Sequence, residues 1–144
     1  MTLMLTLLCR DEADILESML RFHLDQGVSL IIATDNGSLD GSLSLLQRYE
    51  RMGKLRLIQE SEHSHDQAVW VTRMARMAAD LGADWVINSD ADEFWWPAQG
   101  SLASTLEALP TTVQAVTVER TNFLPPPRYV NDQRPFHQRQ VLRE

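Results

Sequence analysis

An α/β fold with a mostly parallel sheet flanked by helices is predicted by three features of the sequence. Strand-like and helix-like segments alternate through the first 109 residues, the strand-like ones are short apolar runs, and a glycine follows each of the first three helix-like ones. Such alternation builds βαβ units with right-handed crossovers. Short apolar runs suit strands buried on both faces.

Leu3 to Cys9 is the first such strand. Asp11 is placed to cap the helix that follows, in which Ile15, Leu16, Met19, Leu20 and His23 fall at helical spacing and which Gly27 ends. Val28 to Thr34 reads as a second buried strand running into the turn formers Asp35-Asn36-Gly37-Ser38. A helix from about Asp40 to Met52 turns Leu43, Leu46 and Tyr49 inward, and Leu55 to Gln59 is a third strand. After the polar stretch Glu60 to Asp66 comes a helix from about Gln67 to Leu81, with Met74, Met77 and Leu81 as its core stripe and Gly82 as its stop. Trp85 to Ser89 makes a fourth strand that ends on Asp90-Ala91-Asp92-Glu93, and Trp70 and Trp85 belong to the core. A short helix near Leu102 to Leu109 and a strand near Ala115 to Thr121 complete the regular pattern. The proline-rich remainder reads as irregular or edge structure.

Composition narrows the function. The 144 residues fit one domain with a real core. Thirteen Lys and Arg against twenty Asp and Glu give a net charge of −7 and no basic patch, which disfavours nucleic acid. Cys9 is the only cysteine, so no disulfide framework exists and a reducing, cytoplasmic setting is expected. No apolar run reaches the ~20 residues of a membrane helix, and no secretory leader opens the chain.

The acids carry the functional signal. Strand one ends near Asp11 and Glu12, strand two at Asp35 and strand four at Asp90 and Asp92, so three strands deliver carboxylates to one edge of the sheet. Parallel sheets bind their ligands beyond that edge. If the chain is extended there, Asp90 and Asp92 point to the same side with backbones about 6.6 Å apart. Oxygen ligands of that kind favour Mg²⁺ or Mn²⁺, whose shells are completed by water and substrate phosphates. The alternative is that the two acids only cap a turn. Asp35 likewise either hydrogen-bonds a ribose or base, or forms a turn before Asn36-Gly37. There is no G-x-G-x-x-G after strand one, no P-loop and no G-x-S-x-G elbow.

The ordered motifs Arg10-Asp11-Glu12-Ala13, Thr34-Asp35-Asn36-Gly37-Ser38-Leu39-Asp40-Gly41 and Ala83 to Phe94 together resemble family 2 glycosyltransferases, in particular the bacterial branch whose D-x-D continues as D-E-F-W. The resemblance covers roughly residues 3 to 124. It implies a GT-A fold, a Rossmann-like nucleotide-sugar-binding sheet over residues 1–124, with residues 125–144 an irregular tail toward a missing or reduced acceptor-binding part. It also implies a nucleotide-sugar donor, commonly a UDP-sugar, and an acceptor that is a glycan, a lipid-linked sugar or a small molecule. By the same resemblance Asp11 or Glu12 lies beside the nucleotide, and Asp35 contacts base or ribose. Asp90 sits near ribose and metal-bound water, and Asp92 ligates Mn²⁺ or Mg²⁺ on the diphosphate.

Inverting members need a carboxylate base for the acceptor hydroxyl, for which Asp132 and Glu119 are the in-chain candidates. In the family that base lies well past the D-x-D, so the chain is expected to be the donor-binding half of a longer enzyme or a truncated product. His137 is a candidate further metal ligand. His63, His65 and Asp66 form either a metal cluster or a polar loop. Arg73 or Arg76 serves the diphosphate or a solvated helix face. Trp95 and Trp96 either stack on a sugar or base or pack into the core. A nucleotidyltransferase and a nucleotide-sugar-binding domain without turnover are the alternative readings.

Overall fold

The computed structural model describes residues 1–60, 67–124 and 142–143. The elements are β1 (Leu3–Cys9), α1 (Leu16–Asp25), β2 (Leu30–Asp35), α2 (Ser42–Arg51), β3 (Leu55–Gln59), α3 (Gln67–Asp80), β4 (Trp85–Asp90), α4 (Leu102–Glu107) and the two-residue pair β5 (Phe123–Leu124) and β6 (Leu142–Arg143). β1 to β4 form one sheet in the order β3-β2-β1-β4, with every pairing parallel. This is the α/β, Rossmann-like arrangement that the alternation of segments predicts.

The continuous apolar run of β1 has a simple cause. Leu3, Leu5, Leu7 and Cys9 face one layer, packed with Leu16, Met19 and Leu20 of α1 and Leu46 and Tyr49 of α2. Met4 faces the other layer, with Ile32 of β2 and Met74 and Ala78 of α3. A strand covered on both faces has no use for polar alternation. Each fully buried aliphatic side chain contributes about 1.5–3 kcal/mol, so β1 and β2 anchor the molecule.

Three expectations are corrected. Residues 115–121 form no strand, and Val116 and Val118 are about half exposed. Strand propensity is realised only against a neighbour, and β4, an outer strand of its sheet, makes no ladder with them. Leu81 lies beyond the end of α3 and is exposed, so the core stripe of that helix stops at Ala78. The cap of α1 is Ile15, without a side-chain cap bond, and Asp11 is employed elsewhere, as described below. Trp70 is buried and Trp85 packs partly buried on the core.

Gly27 joins α1 to α4. Its φ is +93°, and a Cβ built there would lie 2.5 Å from the Cβ of Ala103. Gln26 beside it accepts from Ala103 N–H through its carbonyl (3.1 Å) and from Leu102 N–H through its side chain (3.2 Å). A left-handed backbone and a methyl-on-methyl collision act together. Gly27→Ala is therefore expected to cost about 1–3 kcal/mol, seen as a lower midpoint in urea unfolding with an unchanged slope. Gly53→Ala, which meets nothing within 4 Å, is expected to cost only the smaller φ penalty.

Candidate active site at the carboxyl edge of the sheet

The ladder registers put Cys9 opposite Asp35, Leu8 opposite Asp90 and Asp35 opposite Gln59. The carboxyl ends of β1, β2 and β4 therefore share one rim. Two of the loops that leave it are stitched together. Leu39 N–H donates to Oδ1 of Asp11 (2.7 Å), and Asp11 N–H donates to Oγ of Ser38 (3.0 Å). Glu12 N–H donates to Oγ of Ser42 (2.9 Å) and Ala13 N–H to Oδ2 of Asp40 (2.8 Å). Asp11 sits at φ +54°, the one non-glycine with positive φ among the described residues. Asp is among the residues that tolerate that conformation. Its carboxylate thus binds the β2–α2 loop instead of capping α1. The backbone N–H groups of Ala13 and Ser42 and the Ser42 hydroxyl hold the Asp40 carboxyl below its ordinary range.

This clasp carries Glu12 on the same loop. Partial burial raises the Glu12 carboxyl first, followed by the charges of Asp92, Asp14, Asp40 and Asp90. Asp90 is raised as well, by burial and then by Glu93 and Asp92, with Arg120 opposing. Acids from the β1–α1 loop and the end of β4 therefore sense one another across the rim. Arg120 supplies a counter-charge, paired with Glu93.

Asp35 is buried, at 2% exposure. Its Oδ2 accepts from Ser38 N–H at 3.2 Å, the turn bond that its position predicts. Its Oδ1 has no hydrogen-bond partner, and neither do Oγ1 of Thr34 and Oδ1 of Asn36. Buried carboxylate oxygens are rarely left so. Burial, then Asp35 and Glu12, push the Cys9 thiol up to about 12, so it supplies no thiolate.

The end of β4 departs from the extended geometry expected of it. Glu93 N–H donates to the Asp90 carbonyl and Asp90 N–H to Oε2 of Glu93, each at 3.2 Å, which folds residues 90–93 into a turn. Ala91 is buried, and Asp90 and Asp92 remain exposed. The rule that residues two apart share a face does not apply through a turn, and Glu93 is what closes it. A cleft of about 210 Å³ opens beside Asp90 and Glu93, walled by Thr6 and Asn88 of the sheet and Gln67 and Val71 of α3. Among the described residues, no three His, Cys, Asp or Glu side chains converge as a metal centre. Carboxylate oxygens from one or two acids, completed by substrate phosphates, are the donor set that Mg²⁺ and Mn²⁺ accept, and Asp90 and Asp92 are of that kind.

The remaining candidates lie apart. Glu119 is exposed on the irregular segment after α4. Arg73 pairs with Glu60 at 2.5 Å, and Arg76 is exposed. Trp96 is exposed and stacked on Phe22, whereas Trp95 is partly buried against the core. His63, His65, Asp66, Asp132 and His137 lie outside the described residues.

Sequence reading did not assign a role beyond the core to His23. It is fully buried on α1. Its Nδ1 lies 2.9 Å from the Met19 carbonyl, which only accepts, so Nδ1 carries the proton. Nε2 then accepts from the Trp95 backbone N–H at 3.3 Å. Burial lowers this imidazole from 6.5 to about 4, with the Met19 carbonyl and Glu93 opposing. The unfolded chain takes up the proton first, so the stability is full above pH 6.5 and is lost as pH falls toward 4. The total is about 3 kcal/mol. Urea midpoints measured between pH 7 and 4 are expected to fall accordingly, and His23→Gln to flatten that part of the dependence.

Comparison with solved structures decides the architecture. A structure of S. aureus TarS 1-349, a glycosyltransferase, superposes with a TM-score of 0.54 at 15% identity, covering 65% of this chain and 28% of that one. S. aureus TarS in another crystal structure gives 0.54 at 13% identity, covering 75% and 19%. The fold is GT-A-like. The TarS 1-349 complex with UDP matches at a TM-score of 0.48 and 14% identity, over 64% of this chain and 28% of that one. The GT-A-like chain thus spans less than a third of the length of each of these structures. No family model matches it, and no curated protein matches it in sequence. No helix among the described residues is long and apolar enough to cross a membrane.

Proposed function

We propose that the rim of β1, β2 and β4 binds the nucleoside diphosphate part of a nucleotide-sugar, and that the protein to which this chain belongs transfers that sugar to an acceptor with inversion. The observation that carries the proposal is the set of acids on one sheet edge, Glu12, Asp90 and Asp92; partial burial and then neighbouring carboxylates raise Glu12 and Asp90, an environment that favours a cation between them and a diphosphate.

In this reading Asp35 offers its unpartnered Oδ1 to an N–H or O–H of the nucleoside. Asp90 and Asp92 would hold Mn²⁺ or Mg²⁺. When bound, that ion supplies charge neutralisation to the departing diphosphate. The acceptor oxygen bonds to the anomeric carbon as the bond from that carbon to the diphosphate oxygen breaks, and the acceptor proton passes to a carboxylate base. Glu119 and Asp132 are the candidates within this chain.

A thermal-shift panel of nucleotides and nucleotide-sugars, with and without Mn²⁺, tests the reading. Nucleoside diphosphates at 100-fold over Kd are expected to add about 2.7 kcal/mol of stability, most of it dependent on the metal. Stabilisation by nucleoside triphosphates in their place would point to nucleotidyl transfer instead.

A further inference from the structure

We infer that His23, 72 residues away in sequence, is a positioning residue for the D-x-D turn, acting through the backbone of Trp95. This rests on the reading of that turn as the cation-binding part of the donor site.

The segment from Ser89 to Trp95 is a closed clip. Its middle is folded by the two bonds between Asp90 and Glu93. Its far end is tied back to its start by the Trp95 indole N–H, which donates to Oγ of Ser89 at 3.2 Å. The sheet fixes its start, where Ser89 and Asp90 stand opposite Leu7 and Leu8 of β1, and its far end is held by a second tie. The tie to α1 is the Trp95 amide on Nε2 of His23. The His23 ring is itself fixed, because Nδ1–H is committed to Met19 one turn earlier. Its faces are confined by Phe22, edge-on at 5.1 Å, and by Phe94, stacked at 6.2 Å. Phe22 also packs edge-on against Phe94 at 5.3 Å.

A buried histidine with both ring nitrogens engaged is an orienting part, comparable to the outer groups that fix metal ligands through a hydrogen bond. A leucine would fill much the same volume, but it would leave the Trp95 N–H without an acceptor. A glutamine on the same helical position carries an oxygen at the reach of Nε2.

The test compares His23→Leu and His23→Gln with the unchanged chain by two readouts. The first is hydrogen exchange of the backbone. His23→Leu is expected to speed exchange in residues 93–96 by tenfold or more while α1 and β4 keep their protection, and His23→Gln to restore it to within about threefold. The second is calorimetric titration of UDP with MnCl₂ or with EDTA. His23→Leu is expected to lose tenfold or more of the Mn²⁺-dependent affinity and little of the EDTA affinity, and His23→Gln to regain it.

Unchanged exchange in residues 93–96 overturns the inference, whatever UDP does. So does an equal loss in both variants, which marks a merely structural side chain. If the leucine variant does not fold, His23→Phe, which keeps a ring between Phe22 and Phe94 and has no acceptor, is compared with His23→Gln; exchange at Trp95 at least tenfold faster in His23→Phe than in His23→Gln sustains the inference, and equal exchange in the two overturns it. Absence of UDP binding by the unchanged chain counts against the donor-site reading, and the exchange data then still decide whether His23 holds the turn.

Discussion

Asp92→Ala is expected to abolish the Mn²⁺-dependent part of UDP stabilisation and to leave the fold intact. The side chain is exposed on the turn after β4, outside both core clusters, so its removal takes away a ligand and no packing. In the unchanged chain, UDP with Mn²⁺ at 100-fold over Kd corresponds to about 2.7 kcal/mol and a rise in melting temperature of roughly 8 °C. The variant should retain only the shift seen in EDTA. Relief of the Glu12 carboxyl, which Asp92 helps to raise, should accompany the loss and be visible in a carboxyl titration by NMR. A variant that unfolds instead assigns Asp92 to the architecture. A variant that keeps the full Mn²⁺ shift removes it from the site.

Asp35→Asn is expected to act on the other half of the ligand. Asparagine forms the same turn and keeps an oxygen for Ser38 N–H, but it presents an amide NH₂ where the carboxylate has its buried, unpartnered Oδ1. An acceptor becomes a donor, and a charge-assisted hydrogen bond worth about 1.5–3 kcal/mol is lost. UDP affinity should fall by roughly tenfold to a hundredfold, equally with Mn²⁺ and with EDTA. The pattern differs from that of Asp92→Ala, which strikes only the metal-dependent part. Were Asp35 there only to form the turn, the substitution would leave affinity unchanged, because asparagine is as good a turn former.

Much of the fold was legible in the sequence because it is set by local pattern. Leu55–Gln59 is a strand with those bounds, and α3 starts at Gln67 as its periodicity predicts. What failed to be legible depends on distant partners. Asp11 looks like a helix cap, yet α1 begins five residues on, at Leu16, and the Asp11 carboxylate serves Leu39, 28 residues on. Asp90 and Asp92 look like two same-side acids, but Glu93 folds the chain between them through a bond to Asp90 N–H. A strand is expected near Ala115 to Thr121 as the last element of the pattern, and propensity without a neighbouring strand does not make one. His23 sat correctly on the buried face of α1, but nothing in its spacing points to Trp95. For the rim itself, position along the chain sufficed: a parallel sheet must bring the ends of β1, β2 and β4 together, whatever the loops then do.

Calorimetric titration of UDP into the chain, in buffer containing Mn²⁺ and again in EDTA, tests the metal-assisted donor site most directly. One site is expected, with an affinity at least tenfold higher with Mn²⁺. Equal affinity in the two buffers, or no binding in either, would contradict it.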